Sequence, residues 1–127
     1  LRVGALGEVT LPAGDYLYVG SARRGLRARI DRHRRREKRV RWHIDYLTTH
    51  PGCDLEDVLA FVDPAITECE LLRVVAAATG ATAPVPGLGS SDCRSGCPAH
   101  LVRPSGPVTA AALRSVIASG RTGDVCP

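Results

Sequence analysis

Tyr16-Leu17-Tyr18-Val19-Gly20-Ser21-Ala22-Arg23-Arg24-Gly25-Leu26-Arg27-Ala28-Arg29-Ile30-Asp31-Arg32-His33 is the stretch that decides the fold. Its first five residues are aromatic and β-branched, the composition of a strand, and period two puts Tyr16 and Tyr18 on one face with their hydroxyls pointing the same way. Ser21 and Gly25 punctuate the exit, and Leu26 opens a helix expected to run to about Lys38. On that helix Leu26, Arg29, Ile30, His33 and Glu37 share one stripe at helical spacing, while Arg23, Arg27 and Arg34 point elsewhere. Arg29 and His33 are therefore expected on the inward side.

Upstream, residues 1–11 alternate weakly around Gly4 and Gly7 and read as a strand, a turn and a short strand, followed by the turn signal Pro12-Ala13-Gly14-Asp15. Downstream, Trp42 to Leu47 reads as a second, shorter helix ended by Pro51-Gly52, and Leu55 to Val62 as a strand. Asp63 as N-cap with Pro64 in the first turn predicts a helix over 65–79 that stops at Gly80. Residues 81–98 are rich in Pro, Gly and Ser and read as loop or turns; Ala99 to Val102 reads as a short strand and Val108 to Ser119 as a last helix. The expected class is α+β, a small antiparallel sheet flanked by helices, with one domain over 1–103 and a C-terminal helix and tail over 104–127.

At 127 residues with 44% apolar content the chain can build one real core. Five cysteines, an odd number without a secretion signal, argue against an extracellular disulfide framework, so a cytoplasmic location is expected. Charge is uneven. From Arg23 to Arg41 eleven Lys and Arg face only Asp31 and Glu37, a net +9, whereas the remainder has six basic and eleven acidic residues, a net −5. Such a segment is an electrostatic footprint for a polyanion, with Arg23, Arg24, Arg27, Arg34, Arg35 and Lys38 as the expected nucleic-acid contacts. The bland alternative is a solvated basic run, but apolar residues at helical spacing within it favour a folded surface.

Tyr18-Val19-Gly20 followed by Leu26, Arg29 and His33 resembles the second half of the GIY-YIG nuclease motif, a strand ending in Tyr-x-Gly and then a helix with Leu-x-x-Arg-x-x-x-His. The longer pattern of Leu11 to Gly14, Tyr16 to Ala22, Trp42 to Leu47, Glu68 to Leu71, Pro86 to Cys93 and His100-Leu101 resembles an uncharacterised branch of that superfamily, sometimes fused to endonuclease III. The resemblance implies a metal-dependent endonuclease acting on DNA in preference to RNA, with Mg2+ or Mn2+ as cofactor and a fused or associated repair enzyme as partner. It implies that Tyr18 orients or deprotonates the attacking water, Arg29 holds the scissile phosphate, His33 helps position the nucleophile and Glu68 binds the cation. The family's first motif, Gly-x-Tyr on the preceding strand, has no counterpart among residues 1–10 and is expected upstream of Leu1. That departure keeps a second function in view, a non-catalytic nucleic-acid-binding module with the same fold.

The residues themselves are chemically suited to those roles. Phosphodiester cleavage needs an activated water, counter-charge for the transition state and help for the leaving oxygen, which a metal, an arginine and a tyrosine or histidine supply. A tyrosine with its ordinary pKa near ~10 is a poor base unless a cation lowers that value. Glu68 shares a stripe with Leu71, Leu72 and Val75 and is drawn inward, whereas Glu70 falls on the face of Arg73, so Glu68 is the preferred metal ligand. Tyr16, His43, Asp45 and Glu70 are candidates for supporting positions around the site. Cys93, Cys97 and His100 form a zinc-binding or structural cluster by composition, completed if Cys53, Cys69 or Cys126 came near; the spacing is not that of a standard zinc pair, so zinc is not the expected cofactor.

Overall fold

The computed structural model describes residues 1–20, 25–60, 67–88 and 99–122. Strand β1 (Arg2–Val3) turns through a 3-10 segment (Gly4–Leu6) into β2 (Gly7–Glu8), and the two pair antiparallel with Val3 opposite Gly7. Strand β3 (Leu17–Tyr18) is followed by helices α1 (Leu26–Arg34), α2 (His43–Thr48) and α3 (Glu68–Thr79), strand β4 (Leu101–Val102) and helix α4 (Ala110–Thr122). The class is α+β, with two small antiparallel sheets among the described residues where the sequence suggested one.

The strand β3 pairs antiparallel with β4, Leu17 opposite Val102 and Tyr18 opposite Leu101, and Val19 N–H extends the ladder to the His100 carbonyl. On its other edge β4 is continued by a bridge between Arg103 and Thr82, so it is held from both sides. Period two sorts the side chains into two cores. Tyr16, Tyr18 and Leu101 pack with Val3, Ile44, Leu47, Val85 and Leu88; Leu17, Val19 and Val102 face Leu72 of α3. α4 lies against α3, with Ile117 buried.

Three expectations need correction. Helix α1 stops at Arg34 rather than near Lys38 because Arg35 is extended and the Lys38 ammonium folds back to donate to the carbonyls of Arg32 and His33, satisfying the open C-terminal end. Glu37 therefore lies beyond the helical stripe. Helix α3 starts at Glu68 because Thr67 is extended and its hydroxyl accepts the Glu70 N–H; the expected cap Asp63 and Pro64 lie outside the described residues. At its other end the prediction holds, since Gly80 takes the left-handed conformation (φ 63°) and a Cβ there would meet Ser105 Oγ at 2.8 Å. Finally, residues 53–60 form no strand, with Leu55 exposed, and residues 61–62 lie outside the described residues. Among the described residues no helix is long and apolar enough to cross a membrane.

Candidate functional site

The centre of the site is Tyr18, whose ring leans over Gly20. A Cβ at Gly20 would come within 3.0 Å of Tyr18 Cε2, so the Tyr-x-Gly spacing clears space for an aromatic ring two residues back on the same face of the strand. The ring meets His33 of α1 edge-on at 6.2 Å between centroids. The Tyr18 phenol is pushed up to about 12, by burial first and then by the charges of Glu68 and Asp45, with Arg29 opposing them. The four residues singled out from sequence, Tyr18, Arg29, His33 and Glu68, thus converge on one locality from β3, α1 and α3.

Trp42, at the N-cap of α2, is the platform beneath them. The guanidinium of Arg29 lies 4.4 Å from its ring centroid, that of Arg32 4.3 Å and that of Arg41 5.2 Å, and the His33 ring lies 6.1 Å away. Cations over an indole face are attracted by its quadrupole, so one tryptophan gathers three guanidiniums that would otherwise repel. His33 is held below its ordinary pKa, by burial first and then by Lys38, Arg29 and Arg32, with Asp45 opposing. It is a neutral imidazole near pH 7, with a buried Nδ1 that has no hydrogen-bond partner.

Asp45 locks this arrangement. Fully buried, it accepts two bonds from Arg32 (2.8 and 2.9 Å) and one each from the backbone N–H groups of Arg41 (2.8 Å) and Trp42 (2.9 Å), with Lys38 Nζ 4.0 Å away. Burial by itself would raise its acid, but the Arg32, Trp42 and Arg41 bonds outweigh that and hold it at about 2. Asp45 is thus the tie between α1 and α2 that carries Trp42 into place. Arg32 and Trp42 were not singled out from sequence. Trp42 and Asp45 stand at the N-cap and third positions of α2, a spacing at which a carboxylate can reach back to the cap N–H, but nothing distinguishes Arg32 among its basic neighbours.

The remaining candidates divide clearly. Arg27, Arg34 and Arg35 are exposed and available to a polyanion, whereas Arg23 and Arg24 lie outside the described residues. Lys38 is a correction: its side chain is only 3% exposed and serves the end of α1 and Asp45, so it is not a phosphate contact. Tyr16 donates its hydroxyl to the Pro12 carbonyl and sits under Arg103, bracing the turn before β3. His43 opens α2 half-buried and Glu70 is exposed. Cys93 and Cys97 lie outside the described residues. His100 is buried, with Nδ1 3.3 Å from Glu68 Oε1 and Nε2 3.9 Å from Cys69 Sγ. Among the described residues no group of three or more His, Cys, Asp or Glu is arranged to hold a metal ion.

Fold and site together define a small α+β protein with a basic helix packed over a half-buried tyrosine. The chain belongs to the family described as domain of unknown function DUF123, whose model matches residues 1–120 and so includes most of α4. No curated protein and no solved structure gave a match.

Proposed function

We propose that this chain is a metal-dependent endonuclease of the GIY-YIG type that hydrolyses phosphodiester bonds in DNA, working in the cytoplasm and in DNA repair. The observation that carries the reading is the convergence of Tyr18, Arg29, His33 and Glu68 beside an exposed basic helix face. Arg29 supplies counter-charge for a phosphate, and the exposed Arg27, Arg34 and Arg35 supply docking charge that carries no sequence information. Tyr18 keeps its proton at neutral pH and orients a water by donating or accepting through its hydroxyl; the neutral His33 imidazole beside it is the group able to take up a proton.

The Glu68 carboxylate fits a divalent cation. It is 29% exposed at the first turn of α3, and its negative field helps raise Tyr18. One carboxylate with water completing the shell suits Mg2+ or Mn2+, which when bound supplies Lewis-acid stabilisation of the phosphate's developing charge. The raised phenol also favours a second reading, a module that binds nucleic acid without cutting it, because a tyrosine at about 12 is inert as a base unless a cation lowers it.

Cleavage of branched, nicked and single-stranded DNA, with RNA counterparts, against Mg2+ concentration tests the choice. The nuclease reading expects Mg2+-dependent cutting that Glu68→Gln and Arg29→Ala abolish, while Glu70→Gln cuts like the parent and Arg34→Ala mainly weakens binding. Tight binding with no cutting on any substrate selects the binding module.

A further inference from the structure

We infer that His100 is a positioning residue that holds the Glu68 carboxylate in its metal-binding orientation. The inference rests on the reading of Glu68 as the cation ligand. His100 is itself rigidly placed at the entry to β4: its backbone N–H donates to the Leu88 carbonyl at 2.9 Å, its own carbonyl accepts the Val19 N–H at 3.0 Å, and its side chain is 2% exposed. The imidazole is thereby aimed at the first turn of α3, where Nδ1 stands 3.3 Å from Glu68 Oε1 and Nε2 stands 3.9 Å from Cys69 Sγ. A neutral imidazole has one donor and one acceptor nitrogen. The Cys69 thiol both donates and accepts weakly, so its contact with Nε2 is compatible with either tautomer, and the tautomer with the N–H on Nδ1 is the one that turns a donor to the carboxylate.

Nδ1 is buried and, at this separation, not yet aligned into a hydrogen bond. Desolvated polar atoms of that kind are costly unless completed, and catalytic contacts often tighten only in the loaded state. A carboxylate that accepts Nδ1–H on one oxygen presents the other outward in a defined direction, which is how outer partners orient metal ligands. Without His100, Glu68 would still carry its charge but would sample several rotamers before binding.

The test is Mn2+ affinity of the full chain, read from the electron paramagnetic resonance of free Mn2+, for the parent, His100→Leu, His100→Asn, His100→Gln and Glu68→Gln, with folding of each checked by circular dichroism. The asparagine amide can occupy the position of Nδ1, whereas the glutamine amide reaches toward that of Nε2. We expect His100→Leu and His100→Gln to weaken Mn2+ binding roughly 10-fold to 100-fold and His100→Asn to restore it to within a few-fold of the parent. Cleavage should follow, with a higher Mn2+ requirement and a kcat at saturating metal close to that of the parent. Should His100→Leu not fold, the comparison of Asn with Gln carries the same decision. If Glu68→Gln loses Mn2+ while all His100 variants keep it, or if Asn and Gln are equally impaired, His100 has no positioning role. If Glu68→Gln binds Mn2+ like the parent, the assignment of Glu68 as ligand falls, and this inference with it.

Discussion

Replacing Asp45 by asparagine tests the tie between α1 and α2. In the parent the carboxylate accepts four bonds, from Arg32 twice and from the N–H groups of Arg41 and Trp42. Its acid moves from 3.8 to about 2, a difference worth roughly 2 kcal/mol. Because the folded value is depressed, this stability is fully present above pH 3.8 and is lost as pH falls through about 2. Asparagine costs more than a proton does. Its amide nitrogen must face either the guanidinium or the two backbone N–H groups, donor against donor, and the buried Lys38 ammonium 4.0 Å away loses its counter-charge. Removing one partner of a buried pair costs about 3–5 kcal/mol, and we expect Asp45→Asn to fall in that range at pH 7. With a urea slope of about 2 kcal/mol/M, the unfolding midpoint drops by roughly 2 M. The gap between parent and variant should narrow as pH falls from about 4 toward 2, where the parent's own carboxylate takes up its proton. A loss under about 1 kcal/mol at pH 7, or a gap that stays flat across that pH window, would refute the claim that this carboxylate locks the two helices.

Of the three tyrosines, Tyr18 should ionise near 12 in an ultraviolet titration and its step should vanish in Tyr18→Phe; since the folded value is raised, the stability it contributes is intact below pH 10 and lost as pH climbs through about 12. Gly20→Ala should leave the chain folded but push the Tyr18 ring aside, costing about 1–3 kcal/mol and most of any cleavage, measured by urea melts beside turnover; unchanged turnover would mean the ring's position is irrelevant. Arg34→Ala and Arg35→Ala should each lower the slope of log affinity against log salt by up to about one, whereas Lys38→Ala should leave that slope unchanged and destabilise the fold, a contrast that binding assays at several salt concentrations read directly.

The local code of the chain determined the elements and their faces. The aromatic and β-branched run at Tyr16 to Gly20 makes a strand, its alternation sends Tyr16 and Tyr18 to one core and Leu17 and Val19 to the other, and the stripe of Leu26, Arg29, Ile30 and His33 is the half-buried side of α1. Glycine at 80 ends α3 because a left-handed cap suits no side chain as well. These features depend on neighbours within a turn or two, so periodicity and capping chemistry reveal them. The helix ends at Arg34 and Thr67 depended on contacts that spacing does not encode: a lysine reaching back to open carbonyls, and a threonine hydroxyl accepting the Glu70 N–H. Tertiary structure alone decided which of the nine described basic residues from Arg27 to Arg41 face water and which are consumed inside, since Arg32 and Lys38 differ from Arg34 and Arg35 only in lying where Asp45 is brought to meet them. The same holds for His100 and Glu68, placed together because β4 pairs with β3 while α3 packs across that sheet. Contacts between residues so far apart in the chain follow from how the two cores close, and a one-dimensional pattern carries no record of that closure.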